Sequence, residues 1–219
     1  MIFPKLDGKR FGYVNLNLEA LEWSKTNNVN ESENPLTDPE KCRSFVEAVH
    51  RKYDIDFSYG GWMEDRSFLW RGWYLDESKM FTHLGVDLNV PAGTEVAVDF
   101  EAEVVGVMDD YPLDGGWGPH VILKNLDKDI YILYAHLDRD IFCKMGDKLG
   151  IGHIFAKVGH APENGNWFPH AHVQAIEAKY FEQIRDANGW EDFDGYGLVK
   201  DVAINSVRHP DPLQFIKLY

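Results

Sequence analysis

The sequence predicts an all-β core, an antiparallel sandwich or barrel-sandwich, with a helical N-terminal extension and a small helical insertion. Three observations predict it. From about residue 82 short segments alternate apolar and polar residues at period two: HLGVDLNV, AEVVGVMD, PHVILKN, DIYILYAHL and HAHVQAI. Glycine, proline and aspartate turns separate these segments, as in a strand-and-turn domain. Upstream of them, apolar residues recur at helical spacing instead. The chain therefore divides into an extension over 1–81, part of the same unit, and a β-rich domain over 82–219 interrupted near 177–208.

Each element has a local reason. The polar stretch TNNVNESENP over residues 26–35 reads as a loop. After it Asp38 can cap a helix whose first position is Pro39. Cys42, Phe45, Val46, Val49 and Tyr53 follow at helical spacing, which predicts the extension's one helix over 39–53. Gly60 and Gly61 break the chain before the aromatic run FLWRGWYL. Near the end AKYFEQIRDA reads as a helix inside the insertion, a loop follows, and DPLQFIKL closes the chain.

Composition narrows the functions. With 219 residues, 44% apolar and 14% aromatic, the chain can build a proper core. Its 22 basic and 36 acidic residues give a net charge of −14, which repels nucleic acid and anionic membrane surfaces. No apolar run approaches the roughly 18–20 residues needed to span a bilayer. Lys5, Asp7, Lys9 and Arg10 break up the start, so no secretory signal is read there. With Met1 as the start, the expected location is cytoplasmic. Two cysteines, Cys42 and Cys143, make neither a disulfide framework nor a four-cysteine metal site, and they read as free thiols.

The chemistry lies on the strands. Successive strand side chains alternate faces. In HLGVDLNV that alternation puts Leu84, Val86, Leu88 and Val90 on one side and His83, Gly85, Asp87 and Asn89 on the other. In HAHVQAI, Ala171, Val173 and Ala175 pack inward while His170, His172 and Gln174 share the polar face. In DIYILYAHL the same rule places His136 with Ile132 and Tyr134, at the strand's end. Four histidines and one aspartate thus compete for the three protein ligand places of a catalytic zinc, which keeps a further position for water. A lone HxxxD or HxH is a weak signal; the two together, each on an alternating strand, point to a metal-assisted hydrolase. No HExxH occurs, so a glutamate base of that type is excluded.

In order along the chain, HLGVDLNVPAGTEVAV, GGWGPHVIL, YILYAHL, GDKLGIG and PHAHVQ resemble the lysostaphin-type, LytM-like zinc metallopeptidases. The resemblance covers roughly residues 82–176, and DPLQFI resembles the family's closing strand. It implies a LytM-like fold and one Zn²⁺ per chain held by His83, Asp87 and His172. His136 and His170 would be the catalytic pair beside the metal. Trp117, His120 and Trp167 would border the cleft. Ala171 and Val173 stand where family members usually have leucine and phenylalanine, and HAPENGNWF replaces a serine- and glycine-rich loop that borders the cleft. That loop puts the usual peptide specificity in question. GGWMEDRS and VGHAPENGNWFPHAHVQ further resemble an intracellular subgroup found fused to aminotransferase-like and kinase-like domains.

The implied substrate is a small or glycine-containing peptide, or a peptidoglycan fragment. Two other classes compete. A phosphocarrier of related fold would use two facing histidines, although Asp87 beside them would repel a phosphoryl group. A non-catalytic module would keep the metal structurally and dock onto a metabolic enzyme, filling the fourth metal position with protein. His50, His153, His160 and His209 carry no functional expectation; they sit at a helix end, in turns, or beside glycine and proline.

Overall fold

Residues 1–29, 34–71, 74–110, 116–188 and 194–218 are described by a computed structural model. The extension supplies β1 (Phe11–Tyr13), α1 (Leu16–Asn27), α2 (Pro39–Tyr53), β2 (Phe57–Gly60), α3 (Ser67–Trp70) and α4 (Tyr74–Ser78). The next strands are β3 (Thr82–His83), β4 (Val86–Asn89), β5 (Glu95–Ala97), β6 (Ala102–Asp110), β7 (Gly118–Asn125) and β8 (Ile130–Ala135). β9 (Lys148–Leu149), β10 (Ile154–Lys157) and β11 (Ala171–Glu177) follow, then α5 (Ala178–Asn188), β12 (Tyr196–Gly197) and α6 (Val202–Arg208).

The all-β core is present. Its main sheet has eight strands in the order β1-β2-β4-β11-β8-β7-β6-β9, and β5 with β10 forms a second layer. Among the described residues all strand pairings are antiparallel except β1 with β2. One face of the sheet buries Val86, Leu88, Val121, Leu123, Ile132, Tyr134, Val173 and Ala175 against Val96, Phe155, Ala156 and Val158 of the second layer. The opposite face is divided. At one end Ile122, Tyr131, Leu133 and Ile176 pack under Phe181 of α5; at the other lie the polar residues of β4 and β11.

The extension holds more structure than expected. Instead of one helix over 1–81 there are four among the described residues, and two strands join the main sheet. α2 forms where the periodicity placed it: the Asp38 carboxylate accepts from the Lys41 amide at 2.8 Å, Pro39 opens the helix, and Cys42, Phe45, Val46 and Val49 face inward. Those four pack with Leu16 and Ala20 of α1, with Phe68 and Leu69 of α3, and with Phe168 from just before β11. The loop expected over 26–35 begins two residues later, because α1 runs to Asn27; residues 30–33 lie outside those described, as does Gly115 of the GGWG turn.

Two further expectations fail. HLGVDLNV is not one strand: it breaks at Leu84–Gly85, and β3 leaves the main sheet to pair with β12. DPLQFI forms no strand. Pro212 opens a 3₁₀ turn over Pro212–Gln214, capped by Asp211 through the Leu213 amide at 3.0 Å.

Candidate metal centre

β4 and β11 pair so that Asp87 stands opposite His172. Both side chains rise on the face away from the second layer, because their neighbours Val86, Leu88, Ala171 and Val173 are committed to the core. His83 comes from β3 and reaches the same point. The three are buried, and their ligand atoms converge: His83 Nε2 and His172 Nδ1 are 3.1 Å apart. Asp87 Oδ1 is 3.1 Å from His172 Nδ1 and 3.4 Å from His83 Nε2. Ligands about 2.0–2.1 Å from a tetrahedral zinc are separated from one another by roughly 3.3 Å, so this triangle has the size such an ion requires.

Proton placement agrees with that reading. His83 Nδ1 faces the Gly61 carbonyl at 3.0 Å; a carbonyl only accepts, so the proton sits on Nδ1 and Nε2 presents a lone pair. Gln174 Nε2 faces the Asp194 carbonyl at 3.2 Å, which fixes the amide so that Oε1 faces His172 Nε2 at 3.1 Å. His172 therefore donates from Nε2 and presents its own lone pair from Nδ1. Two imidazole lone pairs and a carboxylate oxygen meet at one point, a donor set for a cation and for Zn²⁺ in particular.

Electrostatics keep the set in its ligating form. Burial lowers the His83 pKa to about 4, against the pull of Asp87. Burial alone would raise Asp87, yet its carboxyl is held well below the usual range. Its second oxygen, Oδ2, lies 3.3 Å from Nη2 of Arg66, itself buried, and Arg66 Nε is 3.2 Å from Glu64 Oε2. Glu64, whose pKa burial raises, accepts from the Tyr13 hydroxyl at 2.6 Å.

His136 and His170 stand beside the triangle with ring centroids 4.3 Å apart. His170 Nδ1 is 2.9 Å from the Phe168 carbonyl and His136 Nδ1 is 2.8 Å from that of Asn164, so both direct Nε2 inward. His170 Nε2 is 3.8 Å from Asp87 Oδ1. Burial lowers the pKa of both, and each imidazole disfavours a proton on its neighbours. Strict alternation would have sent His136 to the core with Tyr134. Instead it follows β8 with φ of 60°, and this left-handed residue turns its ring onto the ligand face. Its amide donates to the Trp117 carbonyl at 2.8 Å and its carbonyl accepts from Gly159, which hold the turn.

The three expected cleft residues are all nearby. The Trp117 ring centroid is 5.0 Å from that of His172 and 6.5 Å from that of His120, which is buried on the same face. The Trp167 ring is 5.0 Å from that of His170, and its indole N–H donates to the Leu36 carbonyl at 2.6 Å. On the other side Tyr196 lies 5.2 Å from His83, with Trp70 edge-on to it at 5.3 Å. Sequence reasoning missed Gly61, Glu64, Arg66 and Gln174 as supports. GGWMEDRS did carry a signal, since three of them belong to it.

Residues 81–183 match the model of Peptidase family M23. A mutant catalytic domain of the prophage-encoded M23 protein EnpA from Enterococcus faecalis is 30% identical over 44% of this chain and 68% of that chain, with a TM-score of 0.38. The catalytic domain of the antimicrobial peptidase lysostaphin from Staphylococcus simulans is 20% identical over 62% of this chain and 79% of that chain, TM-score 0.42. A zinc-containing peptidase from Vibrio cholerae is 23% identical over 45% of this chain and 28% of that chain, TM-score 0.38. No curated protein matches. The stretch that matches peptidase family M23, residues 81–183, is the one that carries the His83–Asp87–His172 site.

Proposed function

We propose that the chain hydrolyses an amide bond in a small or glycine-containing peptide, or in a peptidoglycan fragment, with one zinc ion per chain. The carrying observation is the His136–His170 pair, two neutral imidazoles aimed inward beside the three ligands. The chemistry a bound zinc ion supplies is Lewis acidity, polarising a carbonyl and lowering the pKa of coordinated water from roughly 15.7 towards about 7. Either histidine can accept a proton at Nε2 and later return it to the leaving amine. Because the rings lie 4.3 Å apart, a proton on one disfavours a proton on the other, so the pair holds one at a time. Asp87, held ionised, keeps its ligand oxygen free of protons.

The walls support a small substrate. Tyr196 and Trp70 close the side beyond His83, and Trp117 and Trp167 flank the histidines. Segments GGWMEDRS and HAPENGNWF, which resemble the intracellular subgroup, supply Gly61, Glu64 and Arg66 to the site's support and Asn164 and Trp167 to its rim; we assign the chain to that subgroup. A phosphocarrier role is disfavoured by the carboxylate 3.8 Å from His170 Nε2.

Purified, zinc-loaded protein offered a panel of glycyl peptides and muropeptides tests the proposal. Turnover should fall by about 10²–10⁴-fold in His136→Ala and His170→Ala while zinc is retained. Wild-type turnover no greater than that of His136→Ala would overturn it. A metal bound directly by His136 or His170 would favour the non-catalytic module instead.

A further inference from the structure

His209 lies 37 residues beyond the last metal ligand, at the C-terminal end of α6, and is buried. Its Nδ1 is 3.1 Å from Gln174 Nε2, the same amide nitrogen that faces the Asp194 carbonyl at 3.2 Å. An amide nitrogen only donates, so His209 Nδ1 must accept, and its own proton must sit on Nε2. The direction of the relay follows: His172 Nε2–H to Gln174 Oε1, and Gln174 N–H to His209 Nδ1. Every link has one orientation, and the far end of the first imidazole is the ligand atom Nδ1.

His209 is itself held firmly. The Trp62 indole N–H donates to its carbonyl at 2.8 Å, its amide donates to the Asn205 carbonyl at 2.7 Å, and the Tyr180 ring packs edge-on at 5.4 Å. The two backbone bonds anchor the main chain, and turning the ring would give up the Tyr180 edge contact and the bond from the buried Gln174 amide.

We propose that His209 is a positioning residue for the metal site: by holding the Gln174 amide it fixes the tautomer and ring angle of His172. Outer partners of a ligating histidine set ring orientation and ligand basicity, and losing one weakens metal binding by about 10–100-fold. His209 acts one link further out, so the lower end of that range applies. The inference rests on the metal site and is independent of any peptide substrate.

Zinc affinity, measured by chelator competition, and the visible absorption spectrum of the cobalt-loaded protein together test it. His209→Phe should bind zinc about tenfold more weakly and shift the cobalt bands. His209→Gln, whose amide oxygen can accept from Gln174, should return affinity to within about twofold of wild type. In a Gln174→Met background, His209→Phe should add nothing, because it acts through that amide. Unchanged affinity and spectrum in His209→Phe, or losses that multiply with Gln174→Met, would overturn the proposal. Should His209→Phe fail to fold, ¹⁵N resonances of the wild-type metal-free chain decide: His209 must be protonated at Nε2 and His172 at Nε2, and either proton on Nδ1 refutes the relay.

Discussion

His83 Nε2 and His172 Nδ1 face each other across 3.1 Å, and neither carries the hydrogen that would make the contact a bond. The Gly61 carbonyl and Gln174 Oε1 have claimed both ring protons. Two lone pairs so close, with an ionised carboxylate at the same point, repel unless a cation lies among them. Metal binding and folding stability are therefore linked.

Removing the metal should cost stability. At free zinc about 1,000 times Kd the linked stabilisation is about 4 kcal/mol, which at 2–4 °C per kcal/mol amounts to about 8–16 °C in melting temperature for a chain of this size. Thermal scans with and without chelator should show that difference in wild type and none in His172→Ala. Equal midpoints in wild type would contradict the linkage.

Arg66→Met should be strongly destabilising. It strips the buried Asp87 and Glu64 carboxylates of their shared cation, and breaking a buried pair from one side costs about 3–5 kcal/mol. Arg10→Ala, which removes exposed pairs with Asp54 and Asp56, should leave the unfolding midpoint where it was. Denaturant titration of both variants checks the contrast.

Gly85→Ala should dislodge a ligand. A Cβ there would stand 2.5 Å from His172 Nε2 and 2.7 Å from the Val173 carbonyl oxygen, with backbone angles ordinary for alanine. The imidazole must move, so zinc affinity should fall by at least about tenfold. Gly150→Ala meets nothing closer than 3.7 Å and serves as the silent control. Wild-type zinc binding in Gly85→Ala would show that the ring has room to spare.

Acid should unfold the metal-free protein through its buried imidazoles. Burial lowers His83 and His209 to about 4 from an ordinary 6.5. Between those values the unfolded chain binds more protons than the folded one, so stability is full above about 6.5 and falls as pH drops towards 4. Each residue contributes on the order of 3 kcal/mol to that fall. Urea unfolding from pH 7.5 to 4 should trace it; a flat profile would mean that these rings are hydrated.

The sheet and the ligand triangle were legible because alternation is a local property. Asp87 and His172 rise on one face since Val86, Leu88 and Val173 cannot leave the other. The rule failed where the backbone left the extended region: the left-handed turn at His136 reversed its face, and nothing in YILYAHL announces a positive φ at a non-glycine residue. Arg66 and His209 were illegible for a different reason. Their partners Asp87 and Gln174 lie 21 and 35 residues away, and only the completed sheet and the folded insertion bring them together. DPLQFI misled because its Asp–Pro pair caps a helical turn as readily as it precedes a strand.

β2 has a last consequence. It covers the free margin of β4, with Gly60 standing opposite Asp87 and Tyr59 opposite Leu88. Excising the peptidase segment at residue 81 would uncover that margin, leaving a row of unspent amide and carbonyl groups as a template for a neighbouring molecule. Such a fragment should cluster into insoluble assemblies, and the minimal soluble catalytic unit has to include the ribbon that precedes it.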